Sequence, residues 1–474
     1  MQHNRLLSLL AALLCPLLLL SACGGTPETA DTEPVSSSAA PVITEEPTDP
    51  ALLTGSSGLT LSGSKYNAEG FSVWSAGIYT FSDTLTLTFD TPIGADVNRY
   101  SLTYSASKAL EGWLHYTEGG AEASEKFYLE PGTDLTFSSF TEHFLDKKTV
   151  SGITSLEIRK KQGSNPTFSL GDLKVEKQAV PDANEVYMQN ERFKVGIRLK
   201  WGGGISYLED FTDGDESISN LLNRADTGRL VQQSYYGTSS APYKPATYNG
   251  TTWQYNPVQG GDQYGNHSRL IDYRMSEDGL TVYVKCLPMD WAQKNLPTMS
   301  YMENTYTLTS SALLVDNRFY DFSGYTNASE RHQELPAFYT ISYLSKFVYY
   351  AGNQGWTGGN LMTLANEPFW GDPKYNSQCY HNLKSKETWC AWVSPDTGWG
   401  IGEFTPTATI LLAGRFSFNG SKDADNGATN YVAPLITYKM TPYKAFAYSY
   451  YITTGTTEQI RATFTDIYNT QIKK

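Results

Sequence analysis

The chain has 474 residues, 13% of them aromatic, with 36 basic side chains against 49 acidic ones. Its formal charge of −13 lacks the basic footprint that nucleic acid demands and disfavours polyanionic partners, so neutral partners fit better. Five cysteines at irregular spacing form neither a disulfide framework nor a metal-type pattern, so no metal and no cofactor is expected.

Taken in order, the chain begins with Arg5 and an apolar run from Leu6 to Leu20. At about 15 residues the run is shorter than the ~20 that a membrane helix needs, so it reads as a signal peptide. Its ending, Leu20-Ser21-Ala22-Cys23, resembles a bacterial lipobox. The resemblance implies a lipoprotein leader over residues 1–22, acylation at Cys23, and a place on the bacterial cell surface with contact to the membrane through the lipid anchor only. Two or more acyl chains give stable anchoring. Loss of the leader removes one base, which leaves 35 basic against 49 acidic residues and a formal charge of −14. Residues 23–64 carry Glu28, Asp31, Glu33, Glu45, Glu46 and Asp49 among Ser, Thr and Pro, with no Lys or Arg. Such a segment has too little apolar surface to offset the entropy of ordering and is expected to be a disordered tether.

Residues 65–177 alternate with period two. Leu85, Leu87 and Phe89 form one set, Tyr100, Leu102 and Tyr104 another, and Ile153–Ile158 and Phe168–Val175 continue the rhythm. This predicts an antiparallel β-sandwich, with one helical turn near Ser138–Leu145. Its size and rhythm resemble a jelly-roll carbohydrate-binding module; a purely supporting sandwich is the alternative. His115 and His143 stand alone and are not expected to be ligands.

Residues 178–183 read as a linker, and residues 184–474 as a second β-rich domain. Phe193, Val195, Ile197 and Leu199 alternate into Trp201-Gly202-Gly203-Gly204, and Ile205–Leu208 starts a new strand. The triple glycine lacks the Lys-Ser/Thr of a phosphate loop. Strand, glycine turn, strand and Asn-rich segment together resemble the opening of the galactose-mutarotase-like supersandwich, found in aldose epimerases and in domains of many glycosidases and polysaccharide lyases. The expected fold class is therefore all-β: a jelly-roll-like sandwich, then a large antiparallel supersandwich. Ile460, Phe464, Ile467 and Tyr468 predict a closing helix with Ile472 extending its stripe, and Thr456 with Gln459 predicts a capping box at its start. Cys379 and Cys390 are spaced so that a hairpin-type bridge is conceivable. Asp210–Glu216 is acidic but lacks the calcium-loop pattern and reads as a solvated turn.

The densest polar stretch runs from Asn220 to Gly237, where Asn, Arg, Asp, Gln and Ser mix with two tyrosines. Sugar rings demand this mixture, because hydroxyls want planar polar partners and C–H faces want aromatic rings. Candidate catalytic groups are Asp226, Glu303, Glu334 and His332, since glycosidic cleavage needs two carboxyls and His332 shares a strand face with Glu334. Candidate sugar-holding residues are Arg229, Gln233, Trp253, Asp262, Asn266 and Arg318. Each also has a structural reading: Asp226–Arg229 as a turn pair, Glu303 as a cross-strand partner, Asp262 as a turn residue, His332–Glu334 as a loop entry. Aldose epimerases use a His–Glu combination whose His spacing this chain does not reproduce, which weakens mutarotation as the activity. The expected function is action on an extracellular polysaccharide or oligosaccharide, by glycosidic cleavage as in a glycoside hydrolase. The alternatives are non-catalytic glycan capture and a structural lipoprotein with no sugar role.

Overall fold

The computed structural model describes residues 66–75, 78–212, 217–238, 242–364 and 380–473, with the backbone alone for side chains 66–75, 78–80, 82, 90, 91, 380 and 381. Among these residues the chain is almost wholly antiparallel strand, closed by one helix. The leader, the tether, Cys23 and Cys379 lie outside the described residues.

The first eight strands, Tyr66–Ser75 through Thr167–Glu176, form one hydrogen-bonded system. The long strand Ile78–Ile93 joins its two layers, pairing with Ser151–Lys160 along one part and with Thr167–Glu176 along another. The expected alternation holds: Leu85, Leu87, Tyr100, Leu102 and Leu156 point into a common core while their neighbours face out. The expected turn near Ser138–Leu145 is narrower, a short 3-10 turn at Phe144–Asp146, because Gly132–Phe140 is still strand.

From Val186 onward the described residues build sheets of three, seven, two and nine strands. The two large sheets share one core. Leu335, Phe338, Val432 and Leu411 of the seven-stranded sheet pack with Val282, Met302, Phe319 and Tyr450 of the nine-stranded one. A buried amide network adds specificity between them: Gln233 reaches Asn304 (3.2 Å), Gln259 reaches Asn304 (2.9 Å), and Asn304 reaches Asn317 (2.5 Å). Inside a core such a network is stable only when its members are satisfied, so it constrains how the sheets meet.

Leu199 departs from its expected strand. The strand Phe193–Arg198 ends one residue earlier, in a 3-10 turn that leads to Gly202 and Gly203 at φ +61° and +79°. A Cβ on Gly202 would lie 2.2 Å from the Gln259 carbonyl oxygen, and one on Gly203 would lie 2.4 Å from Val284. The glycines thus allow both the left-handed turn and close approach to the core.

The closing helix Thr457–Ile467 forms as its pattern predicts, with Ile460, Phe464 and Ile467 buried. Thr456 and Gln459 make the reciprocal capping box. The stripe stops short of Ile472, which is 37% exposed. Among the described residues no helix is long and apolar enough to cross a membrane.

The two sandwiches meet through a continuous apolar seam. Ile271, Tyr301, Tyr320 and Phe322 belong to the core of the first sandwich, while Phe140 and Phe144 belong to that of the second. Three arginine–carboxylate pairs cross the seam: Arg99–Asp272 (3.2 Å), Arg269–Glu125 (2.9 Å) and Arg318–Glu130 (2.7 Å).

Candidate functional site

The seven-stranded sheet has a second face, turned away from the shared core. Residues on it alternate with the core set: Ala337, Tyr431, Ala433 and Leu435, with Tyr339, Ile410, Leu412 and Phe416 packed around them. Strand register places Ser234, Glu334 and Leu435 in one row across this face, and His332 beside Thr437 in the next. Tyr339 stands opposite Tyr431 with ring centroids 4.6 Å apart, and Phe416 stacks on Tyr339 at 6.1 Å. The face therefore carries an aromatic strip beside a carboxyl.

Glu334 is partly buried there, and its carboxylate accepts the Tyr236 hydroxyl at 2.8 Å. Burial pushes this carboxyl above its usual range, and hydrogen bonds from Tyr431 and Tyr236 only partly oppose that. His332 is exposed two residues away, with its Nδ1 3.1 Å from the Thr437 hydroxyl. On a strand such neighbours share a face at about 7 Å.

Asp226 and Arg229 lie in a turn that follows a crossing of the sheet end. The chain crosses the end of the strand Arg331–Ile341, where Asn223 donates its backbone N–H to the Tyr339 carbonyl. Gln232, on the outward face, clamps the turn that follows: its amide donates to the carbonyls of Thr227 (3.2 Å) and Gly228 (2.8 Å) and accepts from the Gly260 N–H (2.6 Å). Asp226 is about half exposed and pairs with buried Arg229 at 3.2 Å, and Arg229 also donates to the Gly427 carbonyl at 2.5 Å.

Asn220–Gly237 is thus divided by the pleat. Gln232, Ser234 and Tyr236 look out, whereas Gln233 and Tyr235 look in. Gln233 does not face a sugar: it is fully buried and bonds the Glu303 carbonyl and Asn304. Tyr235 stacks on Phe319 at 4.1 Å. Asn220 serves the backbone of Ser206, Leu208 and Leu222.

The remaining expected residues lie elsewhere. Glu303 and Arg318 sit at the seam between the sandwiches, where Glu303 pairs with Lys285 (3.2 Å) and Arg318 (3.1 Å). Burial alone would raise the Glu303 carboxyl, but the two cations hold it well below the ordinary range, at about 2. A carboxylate held ionised by two cations suits an ion-pair network rather than proton transfer. The Asp262 carboxylate accepts four hydrogen bonds, from the backbone of Tyr264, Asn266 and Asn295 and from the Asn266 side chain, so Asp262 and Asn266 together shape a turn. Trp253 is buried against Trp291 at 4.5 Å, in an aromatic group at the edge of the seven-stranded sheet. Cys390 is a buried free thiol 3.9 Å from Glu403, and its suggested partner Cys379 falls outside the described residues.

Sequence reasoning missed Gln232, Ser234, Tyr236, Tyr339, Tyr431 and Phe416 as parts of one surface. The period-two spacing of the first three was the available signal. It also missed Asp290 and Asp321, two buried carboxyls on either side of Tyr255. Asp290 accepts from Tyr243 at 2.8 Å, and Asp321 accepts from Tyr255 at 3.4 Å and from Ser323 at 2.7 Å. Burial pushes both up to about 6. Each is only 1% exposed, so neither is open to a substrate. Among the described residues no group of three or more His, Cys, Asp or Glu could hold a metal ion.

No family model and no curated protein matches the chain. Solved structures do match by shape. A galactose mutarotase related enzyme from Lactobacillus acidophilus aligns at TM-score 0.35 and 12% identity, covering 57% of this chain and 97% of that one. A GH36 alpha-galactosidase from Geobacillus stearothermophilus aligns at TM-score 0.33 and 10% identity, covering 58% of this chain and 40% of that one. A 4-alpha-glucanotransferase from Thermococcus litoralis aligns at TM-score 0.30 and 11% identity, covering 57% of this chain and 37% of that one.

Proposed function

We propose that this chain is a surface lipoprotein, anchored through Cys23, that holds an extracellular polysaccharide or oligosaccharide on the outward face of the seven-stranded sheet and cleaves a glycosidic bond there. The observation that carries the reading is the Glu334 carboxyl, partly buried on an aromatic face with phenol partners. A carboxyl raised in this way keeps its proton closer to neutral pH and can donate it to a leaving-group oxygen. Half-buried Tyr339 and Phe416, backed by buried Tyr431, supply planar faces for sugar C–H groups. Asp226 is the second carboxyl that hydrolysis requires, with Arg229 orienting it, and His332 is the other base within reach of Glu334.

The test uses the chain without residues 1–23 on a panel of polysaccharides, recording both binding and released reducing ends. Glu334→Gln is expected to lower release by about 100-fold or more while binding changes little. Asp226→Asn and His332→Gln identify the second group. The turnover rate of the wild type is expected to fall as pH rises through the Glu334 pKa, above the usual glutamate range, because the acid must be protonated. Product release that survives Glu334→Gln undiminished rejects the assignment. Glycan capture without cleavage is favoured by one observation: Asp226 is already engaged by Arg229 and by the Gly228 N–H (2.9 Å). Glycan binding by a wild type that releases no product selects that reading. Membrane association that persists after Cys23→Ser argues against the anchor.

A further inference from the structure

Away from the outward sheet face, the loop between the strands Lys346–Tyr350 and Leu361–Leu364 meets the closing helix. Trp356 in this loop has φ +63°, a left-handed conformation that is a genuine outlier for a bulky side chain. Three contacts hold it there. Its backbone N–H donates to Glu387 at 2.7 Å; its ring stacks on Tyr468 at 4.3 Å and 11°; and it meets Phe404 nearly edge-on at 5.4 Å. Glu387 is fully buried and also accepts from the Trp389 indole (2.8 Å) and from Arg461 (2.7 Å). Arg461 donates in turn to the Gly359 carbonyl at 2.6 Å, so the helix fixes the loop at two points. Strain persists only where the surroundings over-determine it, and it gathers at functional places.

Beside the stacked pair lies a cleft of ≈ 460 Å³, a size within the roughly 300–1,000 Å³ of small-molecule sites. Half-buried Trp356 and Tyr468 form its aromatic wall, with buried Phe404 behind them, and Lys386, Thr388 and Thr409 add polar groups to its lining. Lys386 disfavours a cationic ligand, and the acidic charge of the chain disfavours a polyanion. What remains is a neutral ring with an apolar face and hydroxyls at its edge.

We infer that this cleft is a second, non-catalytic sugar site that takes a neutral pyranose unit of a longer glycan against the Trp356–Tyr468 wall. The site does not depend on Glu334 or on any cleavage.

The experiment labels the chain without residues 1–23 with 5-fluorotryptophan and assigns the Trp356 fluorine resonance with Trp356→Asn, since asparagine tolerates the left-handed backbone. Cellohexaose, xylohexaose, mannohexaose and maltohexaose are titrated separately. At least one is expected to shift the Trp356 resonance saturably, and the shift is expected to persist in Glu334→Gln. Tyr468→Ala is expected to weaken that binding by about tenfold, with the other tryptophan resonances unmoved as the check that the fold is intact. Trp356→Asn, read by isothermal titration calorimetry, is expected to show the same loss. A Trp356 resonance unmoved by all four sugars overturns the site, as does affinity unchanged by either substitution. Because the readout is binding at Trp356, its failure and a failure of cleavage at Glu334 are separate results.

Discussion

At the scale of single residues, the buried acids divide into those that cations hold ionised and those whose carboxyls burial pushes above the usual range. Glu303 belongs to the first kind; Glu334, Asp290 and Asp321 belong to the second. The sign for stability follows. Asp290 and Asp321 have folded-state values of about 6 against an ordinary 3.8. Their contribution is therefore fully present below about pH 4 and is lost as pH rises through about 6, by roughly 3 kcal/mol for each carboxyl. Urea denaturation at pH 4 and pH 7 is expected to show Asp321→Asn losing about that much less stability across the window than the wild type. Identical losses in the two proteins would mean that Asp321 ionises freely. None of this was readable in the sequence. An acid at a seam, an acid in a core and an acid on an outward sheet face look alike until partners far along the chain are placed, as Glu130 is placed beside Arg318 across 188 positions.

At the scale of elements, alternation in the sequence located four of the eight strands of the first sandwich, and the closing helix. Their periodicities follow directly from one buried face. It said less about the strand Thr429–Tyr438, whose first eight residues are all buried, so both faces read as apolar and the outward one is hidden. Gln232, Ser234 and Tyr236 were inside the stretch singled out, yet the pleat splits that stretch and sends Gln233 inward. Two expectations belong here. Thr456→Ala removes the capping box of the closing helix and is expected to cost about 1 kcal/mol in chemical denaturation. Arg318→Met leaves Glu303 with Lys285 alone and Glu130 without its arginine, and the expected cost is about 3 kcal/mol, near the lower end for breaking a buried pair. A loss below about 0.5 kcal/mol would place Arg318 among the exposed pairs that contribute little.

At the scale of the whole molecule, the two sandwiches are joined by apolar packing as well as by ion pairs. Tyr128 stacks on Phe322 at 5.2 Å, and its backbone N–H donates to the Tyr301 hydroxyl at 2.8 Å. A chain beginning at residue 184 would uncover Ile271, Tyr301, Tyr320 and Phe322 together. Size-exclusion chromatography is expected to show it aggregated, because an exposed apolar patch of that kind promotes association; a monodisperse monomer would show that the seam is dispensable. In this arrangement the first sandwich braces the nine-stranded sheet, while Glu334, Tyr339 and Phe416 on the outward face of the seven-stranded sheet stay half-buried. The all-β class was legible because strand alternation is local. The position of the candidate site was not, because the row of Ser234, Glu334 and Leu435 forms only when strands far apart in the chain pair.

The most direct measurement is a crystal structure of Glu334→Gln with a bound oligosaccharide taken from the glycan panel. The account predicts sugar rings along Tyr339 and Phe416, with the residue 334 side chain within hydrogen-bonding distance of a glycosidic oxygen. An oligosaccharide bound only at the seam near Glu303 and Arg318, or only beside Trp356, would contradict it.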